Sequence, residues 1–275
     1  MASPCEVQID GEDLALLDLL GRIAEAEARR IEVKFSRYND NSIISQINRS
    51  NGATVAVDSE TMALLRYANS CYELSEGLFD ITSGVLRRLW TFDGSDKVPT
   101  AAQVNDLLPL VGWPKVTLGE NALTLLPGME IDFGGLGKEY AVDRAMLLIS
   151  ARTDVPILVN FGGDLRVSGL RADGSPWRIA VEAVDTSIDT QTLEVKGGAL
   201  TTSGDAKRFL LKDGIRYSHI LDPRTGWPVV DPPRSVTVAA STCMEAGIFS
   251  TLAMAKGAEA ERFVTEERCA AWISR

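Results

Sequence analysis

The chain has 275 residues, 45% of them hydrophobic and 24% charged, with a net charge of −10. Those proportions exclude a disordered chain and leave enough apolar residues to bury a sizeable core. The acidic balance argues against general binding to nucleic acid or anionic membrane, so an anionic ligand has to be held locally, by backbone N–H groups, a few Lys or Arg, or a metal ion.

Residues 12–34 place apolar side chains at three- and four-residue spacing between charges, which predicts an amphipathic helix. A polar loop follows over 36–42. Residues 59–75 again predict a helix, with Ser59 as its N-cap, and Gly77 interrupts. A short helix is expected over 82–89, then loops with short strands among the Gly and Pro residues of 91–130. Ile131-Asp132-Phe133-Gly134-Gly135 leads into a helix over 137–151. From Pro156 to Ala240 the pattern changes to β-rich pieces split by Gly, Asp and Pro: 157–159, 177–181, 193–195, 216–221 and 236–238. A final helix is expected over 244–266. Helices early, strands late and a helix at the end predict an α+β fold, an antiparallel sheet with helices packed on it. No repeat or low-complexity linker divides the chain, so one domain over 1–275 is expected.

Cys5, Cys71, Cys243 and Cys269 form no C-x-x-C pair and lack zinc spacing; they read as small buried hydrophobes. No run of about 18 apolar residues predicts a transmembrane helix. The first residues lack a basic region followed by an apolar stretch, so the sequence as it stands predicts a cytoplasmic protein; a leader removed ahead of Cys5 would place it in the periplasm.

Four segments are richer in Gly, Asp and polar residues than packing requires. Gly77-Leu78-Phe79-Asp80-Ile81-Thr82 enters a helix, and Asp80 or Thr82 serves either as a cap or as part of a site. Asp132-Phe133-Gly134-Gly135-Leu136-Gly137-Lys138 sets three glycines between a strand and a helix. Glycine lets backbone approach a ligand and a helix N-terminus attracts phosphate, to which Lys138 would add a point charge. The spacing matches neither the Rossmann nor the Walker pattern, and a tight strand–helix turn is an equal reading. Thr201-Thr202-Ser203-Gly204-Asp205 reads as a capped polar turn or a binding turn. Tyr217–Pro228 holds the chain's one histidine, His219, beside an Asp-Pro-Arg-Thr-Gly turn; it is either structural or a general base, for which its ordinary pKa of about 6.5 is suited.

Together these segments resemble the ApbE family of FAD:protein FMN transferases. The likeness runs in order from about Phe35 to Gly257: Ser36–Asn48, Gly77–Thr82, Asp132–Asp143, Asn160–Asp164, Thr202–Asp205 and His219–Pro228. It implies an ApbE-type α+β fold that binds FAD in a cleft with magnesium on the pyrophosphate. It implies transfer of FMN to a Thr or Ser hydroxyl of an acceptor flavoprotein, with release of AMP. By the resemblance, Tyr38 packs on the flavin or its neighbours. Leu78, Phe79 and Asp80 contact the cofactor largely through backbone, Asp132 and Lys138 hold the nucleotide, and Ile220 lines the pocket. His219 takes the proton from the attacking hydroxyl. Displacing AMP from an anionic phosphorus requires charge neutralisation, a deprotonated hydroxyl and positioning, which is consistent with that set.

The sequence departs from the family at the metal. The family places ligands on the last helix in a motif like Ala-Asp-Ala-x-x-Thr, with a backbone carbonyl from the Gly-rich turn. Here Thr251 matches the threonine, Gly247 stands at the carboxylate position, and Glu139 stands where the family has Gly. Glu245 lies about 200° around the helix from Gly247 and cannot substitute. Three arrangements are open: magnesium held by the Gly135 carbonyl, Thr251, phosphate oxygens and water; a carboxylate reaching in from elsewhere; or FAD bound without efficient turnover. The first is the expectation here. Two other activities compete with transfer: FAD binding with weak or no transferase activity, and FAD pyrophosphatase activity giving FMN and AMP.

Overall fold

The computed structural model describes residues 3–181, 191–206 and 208–275. In chain order it contains β1 (Cys5–Ile9), α1 (Leu14–Phe35), α2 (Ile43–Asn48), β2 (Val55–Ala56), α3 (Ser59–Leu74) and a 3-10 helix (Ile81–Arg88). After α4 (Ala101–Leu107) come β3 (Thr117–Leu118), β4 (Ala122–Thr124) and α5 (Gly137–Ser150). The strands β5 (Ile157–Phe161), β6 (Asp164–Val167), β7 (Trp177–Val181), β8 (Gln191–Val195) and β9 (Gly198–Gly204) follow. Next are β10 (Phe209–Lys212), β11 (Ile215–Ser218), β12 (Leu221–Asp222), β13 (Trp227–Pro228) and β14 (Ser235–Ala240). The chain ends with α6 (Cys243–Ala255), α7 (Ala260–Glu266) and β15 (Ala270–Ser274). The fold is α+β, as expected.

Six strands form the central sheet in the order β1-β5-β6-β9-β14-β15, every neighbouring pair antiparallel. Because side chains alternate along a strand, each strand serves two layers. On one face Ile157, Val159 and Phe161 of β5 pack with Ala141, Val142, Ala145 and Ile149 of α5, behind which lie Leu20 and Ile31 of α1. Beside them Val236 and Val238 of β14 meet Ala246, Ala253 and Met254 of α6. On the other face Leu158, Leu165 and Leu200 are covered by Trp177, Leu193 and Val195 of the β7–β8 hairpin. A separate cluster, Val85, Leu86, Trp90, Val104, Val111 and Leu210, joins the 3-10 helix to α4 and β10.

Several boundaries differ from the sequence expectation for identifiable reasons. The N-cap of α3 is Asp58, whose side chain accepts from the Thr61 N–H, so Ser59 is the first helical residue. Residues 91–130 contain α4, capped by a reciprocal Thr100–Gln103 box, as well as short strands. Thr201-Thr202-Ser203-Gly204 is not a turn but part of β9, with the glycine required because a Cβ on it would lie 2.8 Å from the Arg234 carbonyl oxygen. The last helix is two helices, broken at Gly257, where φ is +59° and a Cβ would meet the Val230 carbonyl at 2.5 Å. Strand 216–221 is interrupted at His219 and Ile220.

Candidate active site

The Gly-rich turn before α5 is pinned from several sides. Asn48 of α2 takes both backbone groups of Ile131: its amide donates to the carbonyl at 2.9 Å, and its Oδ1 accepts the N–H at 2.7 Å. The Asp132 N–H donates to the Ile81 carbonyl at 2.9 Å. This approach requires Gly84, since a Cβ there would sit 2.6 Å from Asp132 Cβ. The Asp132 carboxylate is doubly engaged: Oδ1 accepts the Gly134 N–H at 2.9 Å, and Oδ2 pairs with the Arg37 guanidinium. Phe79 lies beneath the turn, with ring carbon Cε2 3.4 Å from where a Gly135 Cβ would be. Helix α5 then starts without a side-chain cap hydrogen bond, its first residue Gly137 donating its N–H to the Phe133 carbonyl at 2.7 Å; a helix N-terminus of this kind suits a phosphate.

Behind the turn is a buried polar cradle built from three elements. Lys138 Nζ lies 2.7 Å from Asp164 Oδ2 at the start of β6, and 3.5 Å from the Gly162 carbonyl. Burial alone would lower the lysine's pKa, but the Asp164 charge and hydrogen bond outweigh it and the net movement is upward. Asp164 is only 2% exposed and Glu139 only 8%. Burial and then the Asp164 charge raise the Glu139 carboxyl well above the usual range. Glu139 Oε2 has no hydrogen-bond partner among the described residues. On the facing side, period-two alternation turns Thr201 and Ser203 of β9 toward α6. There Ser203 Oγ is 2.9 Å from Ser250 Oγ and 3.3 Å from Thr251 Oγ1. Ser250 also donates to the Gly247 carbonyl at 3.1 Å. Asp143 of α5 locks the helices together by accepting the Cys243 and Met244 N–H groups at 3.0 and 2.9 Å, capping α6.

His219 follows β11, its ring edge-on to Phe92 with centroids 6.2 Å apart. Burial, reinforced by the Arg208 guanidinium, pushes its pKa down to about 4, against the weaker opposing influence of Asp205. The imidazole is therefore neutral at pH 7, and its buried Nδ1 is unpartnered among the described residues. Asp205 is clamped by Arg216 at 3.0 Å and Arg234 at 2.9 Å, which fixes the end of β9 against β11 and β14.

The other expected residues take distinct positions. Tyr38 is 83% exposed, with the Arg37 guanidinium 4.8 Å from its ring centroid and donating to its hydroxyl at 2.7 Å. That hydrogen bond lowers the phenol's pKa, helped by the charges of Arg208 and Arg87, which brings the 36–42 loop, the 3-10 helix and the His219 region to one neighbourhood. Leu78 and Phe79 are buried. Asp80 is buried and satisfied, accepting from the Thr82 N–H at 2.8 Å, the Thr82 hydroxyl at 2.6 Å and the Trp113 N–H at 2.9 Å. Ile220 is half-buried between two apolar clusters. The structure thus gathers Arg37, Tyr38, Asp132 and His219 around Arg87 and Arg208, and gathers Lys138, Gly247 and Thr251 around Glu139 and Asp164. Arg37, Arg87, Arg208 and Asp164 are site neighbours to which the sequence alone attaches no role. Only Arg37, next to Tyr38 in a polar loop, carried a local signal.

The ApbE family model matches residues 1–273. The chain belongs to the ApbE family. Among ApbE relatives, the Vibrio cholerae protein named FAD:protein FMN transferase is 33% identical over 240 residues, 85% of this chain and 72% of its own length. A Chlamydia pneumoniae protein of the same name is 31% identical over 256 residues, 89% of this chain and 79% of its own. The crystal structure of an ApbE protein from Thermotoga maritima superposes with a TM-score of 0.87 at 31% identity, covering 97% of this chain and 88% of that one. The Pseudomonas stutzeri flavinyl transferase ApbE in its apo form gives 0.87 at 28% identity, covering 99% and 88%. Among the described residues no three His, Cys, Asp or Glu side chains form a metal centre of their own. The oxygen donors of the ApbE cradle are instead two carboxylates with hydroxyls and backbone carbonyls, a set suited to a hard cation that shares its coordination with a phosphate ligand.

Proposed function

We propose that this protein is an FAD:protein FMN transferase that moves FMN from FAD to a Thr or Ser hydroxyl of an acceptor flavoprotein and releases AMP. The observation that carries the reading is the family match over residues 1–273, with relatives bearing that name over most of the chain. The geometry supports it with a helix N-terminus lacking a side-chain cap, a half-buried Lys138 and a neutral His219 whose Nδ1 is unpartnered among the described residues.

In this reading the acceptor hydroxyl oxygen attacks the phosphorus of the FMN half. A new P–O bond forms, the bond from that phosphorus to the bridging oxygen breaks, and AMP leaves with the bridging oxygen and its electron pair. His219 accepts the hydroxyl proton. The start of α5 and Lys138 hold the phosphates, Arg37 and Asp132 fix the turn on which the nucleotide rests, and Tyr38 and Ile220 border the flavin. The Gly135 carbonyl and Thr251 hydroxyl would hold magnesium with phosphate oxygens and water; bound there, the ion would neutralise anionic oxygens. The unpartnered Glu139 oxygen in the cradle supports such an ion.

The test is incubation of the protein with FAD and a Thr-containing acceptor, with and without magnesium, followed by mass analysis of acceptor and nucleotides. The expected products are protein-bound FMN and AMP, formed only with the metal. Free FMN plus AMP would replace transfer by pyrophosphatase action, and intact FAD at millimolar magnesium would reduce the activity to binding.

A further inference from the structure

The α6 position at which the family likeness implies a carboxylate, Gly247, has none, yet the space is not vacant. A Cβ built on Gly247 would lie 2.7 Å from Glu139 Cγ, 3.3 Å from its Cδ and 3.4 Å from its Oε1. The side chain of Glu139, entering from α5, fills the volume that an aspartate at 247 would occupy, and the two cannot coexist without displacement. Its Oε2 is buried and has no hydrogen-bond partner among the described residues. The nearest cation, Lys138, is engaged by Asp164 at 2.7 Å. Two buried carboxylates, Glu139 and Asp164, thus stand against one ammonium. Buried carboxylates are stable when paired or when they coordinate a metal. One turn along α6 from Gly247, on the same face, stands Thr251.

We propose that Glu139 is the carboxylate ligand of the divalent cation in this protein, delivered from α5, and that Gly247 is the residue that makes room for it. The inference rests on the transferase reading for the presence of the cation. It assigns this chain a ligand set of Glu139, Thr251 and the Gly135 carbonyl, completed by phosphate oxygens and water, an all-oxygen set of the type magnesium prefers. The departures at 139 and 247 are then one exchange, in which the carboxylate changes helix and keeps its place.

Manganese(II), which accepts the same oxygen donors, is the probe. Its uptake by the protein in the presence of FAD is read by electron paramagnetic resonance, while FAD binding is read separately by flavin fluorescence in EDTA. Glu139→Gln keeps the size and any hydrogen bond to Asp164 but removes the charge. It is expected to weaken manganese binding by at least about tenfold, the scale at which even outer-shell losses are felt, with FAD binding in EDTA unchanged. The double variant Glu139→Gly/Gly247→Asp returns a carboxylate to the same volume from α6 and is expected to bind manganese within a few-fold of the wild type. Wild-type manganese affinity in Glu139→Gln, or a wild type that binds FAD but takes up no manganese, overturns the inference and leaves the transferase reading standing. A wild type that binds no FAD overturns the transferase reading itself.

Discussion

His219 is the chain's one histidine, so a single set of ring C–H resonances follows its titration. Buried beside Arg208, it is expected to titrate near 4 in the free protein, not near the ordinary 6.5. The phosphates of FAD, arriving with negative charge, are expected to move that value upward; a titration that FAD leaves in place would remove His219 from the phosphate's neighbourhood. The same depression has a sign for stability. Between 4 and 6.5 the unfolded chain binds more protons than the folded one, so stability rises with pH across that window. His219→Asn, which never ionises, should flatten that rise in urea midpoints and slow FMN transfer by about 10²–10⁴-fold. At this scale the residues visible in the sequence are those with a local mark. His219 stood out as a unique residue beside a turn, and Lys138 stood out after three glycines. Asp80 is fully engaged as a cap and strut, one of the two roles its sequence allowed. Arg208 and Asp164 were not legible, because each acquires its meaning from a neighbour far away in sequence: His219 in one case, Lys138 in the other.

Elements set the distances between those residues. Asp143 ties the start of α6 to α5 by accepting two N–H groups and holding Arg166 at 2.8 Å. Replacing it with Ala should cost about 0.5–2 kcal/mol as a lost cap. It should also weaken manganese binding, because Glu139 and Thr251 ride on the two helices it joins; calorimetry with and without FAD and metal separates the two losses. Gly247→Ala should destabilise by about 1–3 kcal/mol through overpacking against Glu139, and Glu139→Gly should relieve part of that cost in a double-mutant cycle followed by chemical denaturation. Additive losses would mean that the two side chains do not compete for one space. Helices α1 and α5 were legible because their apolar faces repeat at helical spacing over several turns. The edge strands β1 and β15 were not read from the sequence: each is five residues long, partly exposed, and defined by the strand it pairs with rather than by its own pattern. Helix α4 was hidden because it is only seven residues long and sits among Gly and Pro, where its capping box was the one usable sign.

Across the whole molecule, the two faces of the central sheet divide the labour. Helices and site lie on one face, and the β7–β8 hairpin seals the other with Trp177, Leu193 and Val195. Trp177→Ala should therefore cost about 3–5 kcal/mol of stability while FAD affinity, measured well below the melting transition, stays at the wild-type value; a matching loss of affinity would mean that the faces are coupled. In an acidic molecule of net charge −10, Arg37, Arg87 and Arg208 stand near Tyr38, the first two paired with Asp132 and Glu130. The 2.7 Å approach between Glu139 Cγ and the missing Gly247 Cβ also constrains history. A lineage that moves a carboxylate from one helix to the other meets a collision if it acquires the glutamate while the aspartate is still in place, because one of the two side chains must then shift. A survey of homologues that scores position 247 alone would count this chain as lacking an acid, whereas scoring 139 and 247 as a pair would count the glutamate on the other helix.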